Sequence, residues 1–160
     1  MPPHIRPAAA ADRRQIENIL RNCGNFRPEE IDIALEVWDD GIRQPGVDYH
    51  LLCAETRGRL AGYIGYGPIP LTVGCWDLYW IAVDPAQGRH GIGSALLRAM
   101  EDELRDRNAR QIHIETSSLP DYQAARDFYT RHGFTLAASL PDFYRPGDDK
   151  LLFVRFLSPS

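Results

Sequence analysis

The chain has 160 residues, 44% of them apolar and 25% charged, and carries a net charge of −4. That length and mix suit one domain spanning 1–160 with its own core, and they exclude a disordered or fibrous chain. A mildly acidic balance with Lys150 as the only lysine excludes a protein that tracks phosphate backbones, so no nucleic-acid partner is expected.

The opening segment MPPHIRPAAAADRR has no apolar signal core, and no run approaches the length of a membrane span. A cytoplasmic protein without a membrane partner is expected. Cys23, Cys53 and Cys75 are odd in number and lack C-x-x-C spacing, which reads as free thiols rather than a disulfide framework or a structural metal site.

In chain order, His4 to Pro7 reads as a short edge strand, because Pro7 cannot donate to a ladder. Asp12 is placed to cap a helix through about Asn22. FRPEEIDIALEVWDDG reads as a second helix, with Pro28 and two glutamates in its first turn and Gly41 past its end. Tyr49 to Thr56 and Leu60 to Ile69 flank a short turn and predict an antiparallel hairpin. Cys75 to Val83, rich in aromatic and β-branched residues, is the next strand.

QGRHGIGSALL then places Gly88, Gly91 and Gly93 ahead of a helix that runs to about Asn108. Arg110 to Thr116 is a strand, Asp121 to His132 a helix closed by Gly133, and FTLAASL and KLLFVRF form a final strand pair. The order β-α-α-β-β-β-α-β-α-β-β predicts an α/β fold with a mixed sheet and helices on both faces.

The glycine loop admits several readings. A P-loop needs a lysine after its last glycine, and Gly93 is followed by Ser94. A dinucleotide fingerprint needs G-x-G-x-x-G, whereas this loop has the reverse order, G-x-x-G-x-G, so a nucleotide-dependent oxidoreductase is disfavoured. A plain strand-to-helix turn and a pyrophosphate held by backbone N–H groups at a helix N-terminus both fit the glycines.

The wider context resembles the GNAT superfamily of N-acetyltransferases across nearly the whole chain. The resemblance is carried by WIAVDPAQGRHGIGSALL, by ETS followed by AARDFYTRHGF, and by PDFYRPGDDKLLF. It implies a mixed, mostly antiparallel sheet of about six or seven strands splayed between the fourth and fifth. It also implies acetyl-CoA as co-substrate, no metal, and direct transfer of the acetyl group to a primary amine.

By the same resemblance, Ile81, Ala82 and Val83 hold the pantetheine arm, with the backbone of Ile81 and Val83 polarising the thioester carbonyl. Gln87, Gly88, Arg89, His90, Gly91, Ile92, Gly93 and Ser94 hold the pyrophosphate. Gly91 and Gly93 match the family's loop pattern, but Gly88 stands where the pattern has Arg or Gln, leaving Gln87 or Arg89 to support the phosphates. Tyr122 occupies a coenzyme-contacting position that is Asn in many members. Tyr129, in A-x-x-F-Y, is the implied general acid for the departing thiolate.

Asp77 is the candidate base, with Glu115 or a water chain as alternatives. Strand parity puts Asp77, Tyr79 and Ile81 on one face, unless a bulge shifts the register. His132 reads as a helix C-terminal residue, His113 as a sheet-face residue, and Cys75 as no nucleophile. The acceptor, a small-molecule amine or a peptide N-terminus, is expected between the N-terminal helices, the GPIPLTVG loop and the tail, where Asp142, Asp148 and Asp149 could receive a cation. The chain is expected to be a monomer or homodimer. A non-catalytic acyl-CoA-binding sensor of the same fold is the alternative function.

Overall fold

The computed structural model describes residues 2–88 and 90–157. Its strands are β1 (His4–Pro7), β2 (His50–Thr56), β3 (Arg59–Pro68), β4 (Cys75–Val83), β5 (Gln111–Ser117), β6 (Thr135–Arg145) and β7 (Asp148–Phe156). Its α-helices are α1 (Arg13–Asn22), α2 (Pro28–Arg43), α3 (Ile92–Asp106) and α4 (Gln123–Arg131). The strands form one seven-stranded sheet in the order β1-β2-β3-β4-β5-β7-β6. Every neighbouring pair is antiparallel except β4 and β5. The element order and the mixed sheet agree with the sequence reading.

Alternation along β2 and β3 divides the core between the two sheet faces. On one face, Leu51, Cys53 and Tyr63 pack against Ile16 and Leu20 of α1 and against Ile31, Leu35 and Trp38 of α2. Trp38 meets the Tyr63 ring edge-on at 5.6 Å. On the other face, Ala54, Ala61 and Ile64 pack against Leu96, Leu97, Met100 and Leu104 of α3. Each large apolar side chain buried this way contributes roughly 1.5–3 kcal/mol.

Three local expectations need correction. Gly41 lies inside α2 rather than past its end; a Cβ there would stand 2.7 Å from Leu51 Cδ1, so glycine lets the helix approach β2. Asp12 precedes α1 without capping it through its side chain, because its carboxylate turns back to Arg6 and the Ala9 N–H. The last two strands run beyond FTLAASL and KLLFVRF, to Arg145 and from Asp148, with an irregular register between Leu140 and Arg145. The three cysteines are free thiols. Among the described residues, no helix is long and apolar enough to cross a membrane, and no group of His, Cys, Asp and Glu could hold a metal.

Candidate active site

β4 and β5 pair over three rungs only: Cys75 with Gln111, Trp76 with Ile112, and Asp77 with His113. Beyond Asp77 the strands part. The opening is a cleft of about 460 Å³, walled by Asp77 to Ile81 on one side and Ile114 to Ser117 on the other. The α1–α2 turn, the start of α4 and the hairpin end of β6 and β7 complete its walls. Neighbouring parallel strands that separate in this way leave backbone groups without a ladder partner, free for a ligand.

Asp77 stands where the opening begins. Burial raises its carboxyl above the ordinary range, and the Glu115 carboxylate adds to the rise. His113, the Tyr79 hydroxyl and Lys150 oppose it. Glu115, the alternative base, faces the same cleft but is paired with Lys150 at 3.1 Å. Tyr79 meets Tyr49 edge-on at 5.3 Å, and its phenol is pushed up to about 12, chiefly by burial.

The strand-parity expectation fails at Tyr79. Gly65 pairs with Trp80 and Tyr66 with Leu78, so Tyr79 is the extra residue of a bulge. Before the bulge, Trp76 and Leu78 pack on the α3 face; after it, Ile81 and Val83 do. Trp80 and Ala82 face α1 and α2. Asp77 therefore belongs to the α1/α2 face and Ile81 to the opposite one. A bulge resets the period-2 alternation, and composition does not mark where.

Tyr129 reaches the cleft from the α3 face. It is 8% exposed, packs against Phe128 and Phe134, and lines the opening. Burial drives its phenol well above the ordinary value, so it keeps its proton at neutral pH. Its hydroxyl has no hydrogen-bond partner among the described residues. Arg126, one turn earlier, donates to the carbonyls of Ser117 at 2.6 Å and Leu119 at 3.0 Å, fastening α4 to the end of β5.

The glycine loop joins β4 to α3. A short 3₁₀ turn, Pro85–Gln87, follows Asp84, whose side chain accepts from the Ala86 N–H at 3.0 Å. Gly91 is the helix N-cap at φ 72°, a left-handed conformation that suits glycine, with open space where a Cβ would project. Ala95 donates to the Gly91 carbonyl at 3.0 Å. Among the described residues, the N–H groups of His90 to Ser94 reach no backbone carbonyl. The positive end of a 15-residue helix thus presents unused donors. Gln87 Oε1 accepts from the Thr56 hydroxyl at 3.2 Å, and Arg89 lies outside the described residues.

Residues 13–134 match the acetyltransferase (GNAT) family. The chain belongs to that family. It is similar to a putative GNAT acetyltransferase of Desulfovibrio desulfuricans, whose crystal structure superposes with a TM-score of 0.93 at 36% identity over 98% of this chain and 99% of that one. It is 28% identical to an uncharacterized N-acetyltransferase of Methanocaldococcus jannaschii, over 94% of this chain and 90% of that protein. The PaiA N-acetyltransferase of Thermoplasma acidophilum, solved in complex with coenzyme A, shares the fold with a TM-score of 0.75 at 18% identity, covering 98% of this chain and all 100% of the other.

Within this GNAT fold, Asp77, Ile81, Tyr122 and Tyr129 line one cleft, whereas Ala82 and Val83 do not; Ala82 is buried and the Val83 carbonyl accepts from the Cys23 thiol at 3.4 Å. The N-terminal helices border the cleft as the sequence reading expected, through residues it did not name. Asn25, Phe26, Arg27 and Glu30 all face the opening. Glu30 accepts from the Arg27 N–H at 3.0 Å and the Tyr122 hydroxyl at 3.1 Å, which locks the turn to the start of α4. Asn25 Oδ1 is buried without a hydrogen-bond partner, an acceptor left open beside the cleft.

The tail carboxylates separate into two groups. Asp148 is 2% exposed at the cleft wall, accepting from Ser117 Oγ and lying 3.6 Å from Arg145. Asp142 and Asp149 instead accept the N–H groups of Gly147 and Asp142, shaping the hairpin end. The loop between β3 and β4 contributes no residue to the cleft lining, contrary to expectation.

Proposed function

We propose that this chain is an N-acetyltransferase that moves an acetyl group from acetyl-CoA directly onto a primary amine in the cleft between β4 and β5. The observation that carries this reading is the placement of Asp77 and Tyr129. They address one opening from opposite sheet faces, and burial keeps one basic and the other protonated.

The chemistry follows from those two states. An ammonium must lose a proton before its nitrogen can attack the thioester carbonyl, and Asp77 accepts that proton. As the carbon–nitrogen bond forms and the carbon–sulfur bond breaks, the sulfur leaves with the electron pair and Tyr129 donates its phenolic proton to it. The nitrogen, now positive, gives up its second proton, which restores the Tyr129 phenol, and Asp77 returns its own proton to solvent, leaving a neutral amide and a thiol. Acid–base help of this kind is typically worth about 10²–10⁴-fold. Attacking nitrogen and departing sulfur lie on different sides of the carbonyl carbon, which suits a base and an acid on different faces of the sheet.

The free N–H groups at the start of α3 suit a diphosphate, and Gly91 leaves the approach open. The edge of Leu78 to Ile81 that faces β5 has no ladder partner there and suits the extended arm and the carbonyl oxygen. A fixed N–H aimed at a developing oxyanion contributes about 2.7–4 kcal/mol. Glu30, Asp77 and Glu115, with Phe26, Tyr79 and Trp80, give the acceptor side an acidic and aromatic lining that suits a cationic amine, either a small molecule or a peptide N-terminus.

Calorimetric titration tests the cofactor assignment. Acetyl-CoA is expected to bind saturably at one site per chain, and NADPH is not; the reverse result overturns the reading. Saturable binding without amine-dependent turnover would instead mark an acyl-CoA sensor.

A further inference from the structure

Ser94 and His132 are 38 residues apart in sequence, yet Ser94 Oγ lies 2.8 Å from His132 Nε2. On the other side of the ring, Nδ1 lies 2.8 Å from the Phe128 carbonyl oxygen. A carbonyl only accepts, so Nδ1 carries a hydrogen. In the neutral imidazole Nε2 is then the acceptor, and the Ser94 hydroxyl is the donor. The ring also rests on Phe128, with centroids 4.4 Å apart. Phe128 in turn fills the space beside Gly93, where an added Cβ would stand 3.0 Å from its Cζ. The first turn of α3 and the C-terminal end of α4 are therefore joined by a hydrogen bond and a close packing contact.

The two joined ends serve different parts of the reaction proposed above. The α3 end presents N–H groups to the pyrophosphate, and α4 carries Tyr129, which must stand at the sulfur. A pyrophosphate grip that drifts relative to Tyr129 misplaces the thioester, and a displacement of about 1 Å can cost on the order of 100-fold in rate. We propose that His132 is a positioning residue, acting through Ser94, that fixes the pyrophosphate grip to the helix bearing the general acid. The inference rests on the acetyl-CoA reading. It also assigns Ser94 a new part. Its hydroxyl is committed to His132, so the helix turn offers the anion its backbone N–H groups.

The test is calorimetric titration of coenzyme A into the wild-type chain, His132→Ala, Ser94→Ala, His132→Gln and the double variant His132→Ala/Ser94→Ala. Losing one such hydrogen bond corresponds to about a five- to tenfold weaker affinity. Each alanine variant is expected to show that loss, and the double variant no more than either single one. His132→Gln, whose amide oxygen can accept from Ser94, is expected to recover most of it. A purely structural role would lower the melting temperature of the variants and leave their affinity for coenzyme A unchanged. Ser94→Ala and His132→Gln keep the test decisive if His132→Ala does not fold. Wild-type affinity in the alanine variants, or losses that multiply in the double variant, would overturn the positioning role and leave the acetyl-CoA reading standing. Absence of coenzyme A binding to the wild-type chain would overturn both.

Discussion

Asp77 pairs with His113 at the last rung of the β4–β5 ladder, and the sheet opens directly beyond it. The candidate base is therefore held by a paired backbone while its side chain borders the cleft. Asp77→Asn is expected to lower kcat/KM by about 10²–10⁴-fold. In the wild type, activity should fall as pH drops through the Asp77 pKa, which lies above the ordinary carboxylate value. In the variant that acidic limb should disappear from the pH–rate profile.

The same residue should cost stability. A carboxyl whose folded pKa is raised binds its proton more tightly in the folded chain, so its contribution is favourable below the unfolded pKa and is lost as pH rises through the folded one. At pH 7 Asp77→Asn is therefore expected to melt higher than wild type, with the gap closing toward pH 4. Thermal melts across that range check the sign.

Tyr129→Phe should separate chemistry from packing. The ring stays between Phe128 and Phe134, and the hydroxyl it loses has no partner among the described residues. Stability should change by less than about 1 kcal/mol, whereas kcat should fall by about 10²-fold or more. Unchanged turnover would remove Tyr129 from the acid role.

Much of this arrangement was legible in the sequence, for identifiable reasons. Gly88, Gly91 and Gly93 punctuate a strand-to-helix join, and Tyr129 sits in a motif whose spacing is local. The Tyr79 bulge was not legible, because alternation assumes a regular ladder and the extra residue carries no compositional mark. Glu30 meeting Tyr122 and Ser94 meeting His132 are contacts between distant segments, created only when the sheet brings the helices together. Gly41 resembled a helix terminator, yet its role is close approach to Leu51. Asp142 and Asp149 looked like substrate ligands because they cluster in sequence, but Oδ1 of each accepts within the hairpin and neither residue lines the cleft.

Gly93 and Gly88 should respond differently to alanine. At Gly93 the new Cβ meets the Phe128 ring at 3.0 Å, so that ring, packed between α3 and α4, must give by a few tenths of an ångström. A loss of about 1–3 kcal/mol in stability is expected, as for other overpacked sites, together with weaker coenzyme A binding. Gly88 has φ −62° and ψ 160°, and its Cβ would lie 3.3 Å from the Pro85 carbonyl oxygen, a contact that a small shift relieves. Gly88→Ala should stay within about 0.5 kcal/mol of wild type in denaturant unfolding.

Away from the cleft, Arg6 anchors the N-terminal segment by donating to both oxygens of Asp12 at 2.8 Å. The guanidinium holds the Asp12 carboxyl below the ordinary range despite burial. The sign is opposite to that of Asp77. This contribution is full above the unfolded pKa and fades as pH falls through the lower folded value. Asp12→Asn should lose about 2 kcal/mol at pH 7, and the difference from wild type should narrow toward pH 2 in denaturant titrations.

The most direct measurement is release of coenzyme A thiol from acetyl-CoA by the wild-type chain across a panel of primary amines and N-terminal peptides. At least one amine is expected to drive thiol release at a rate that saturates with both substrates and collapses in Asp77→Asn and Tyr129→Phe. Release that no amine accelerates, or that survives both substitutions unchanged, would contradict the proposed reaction.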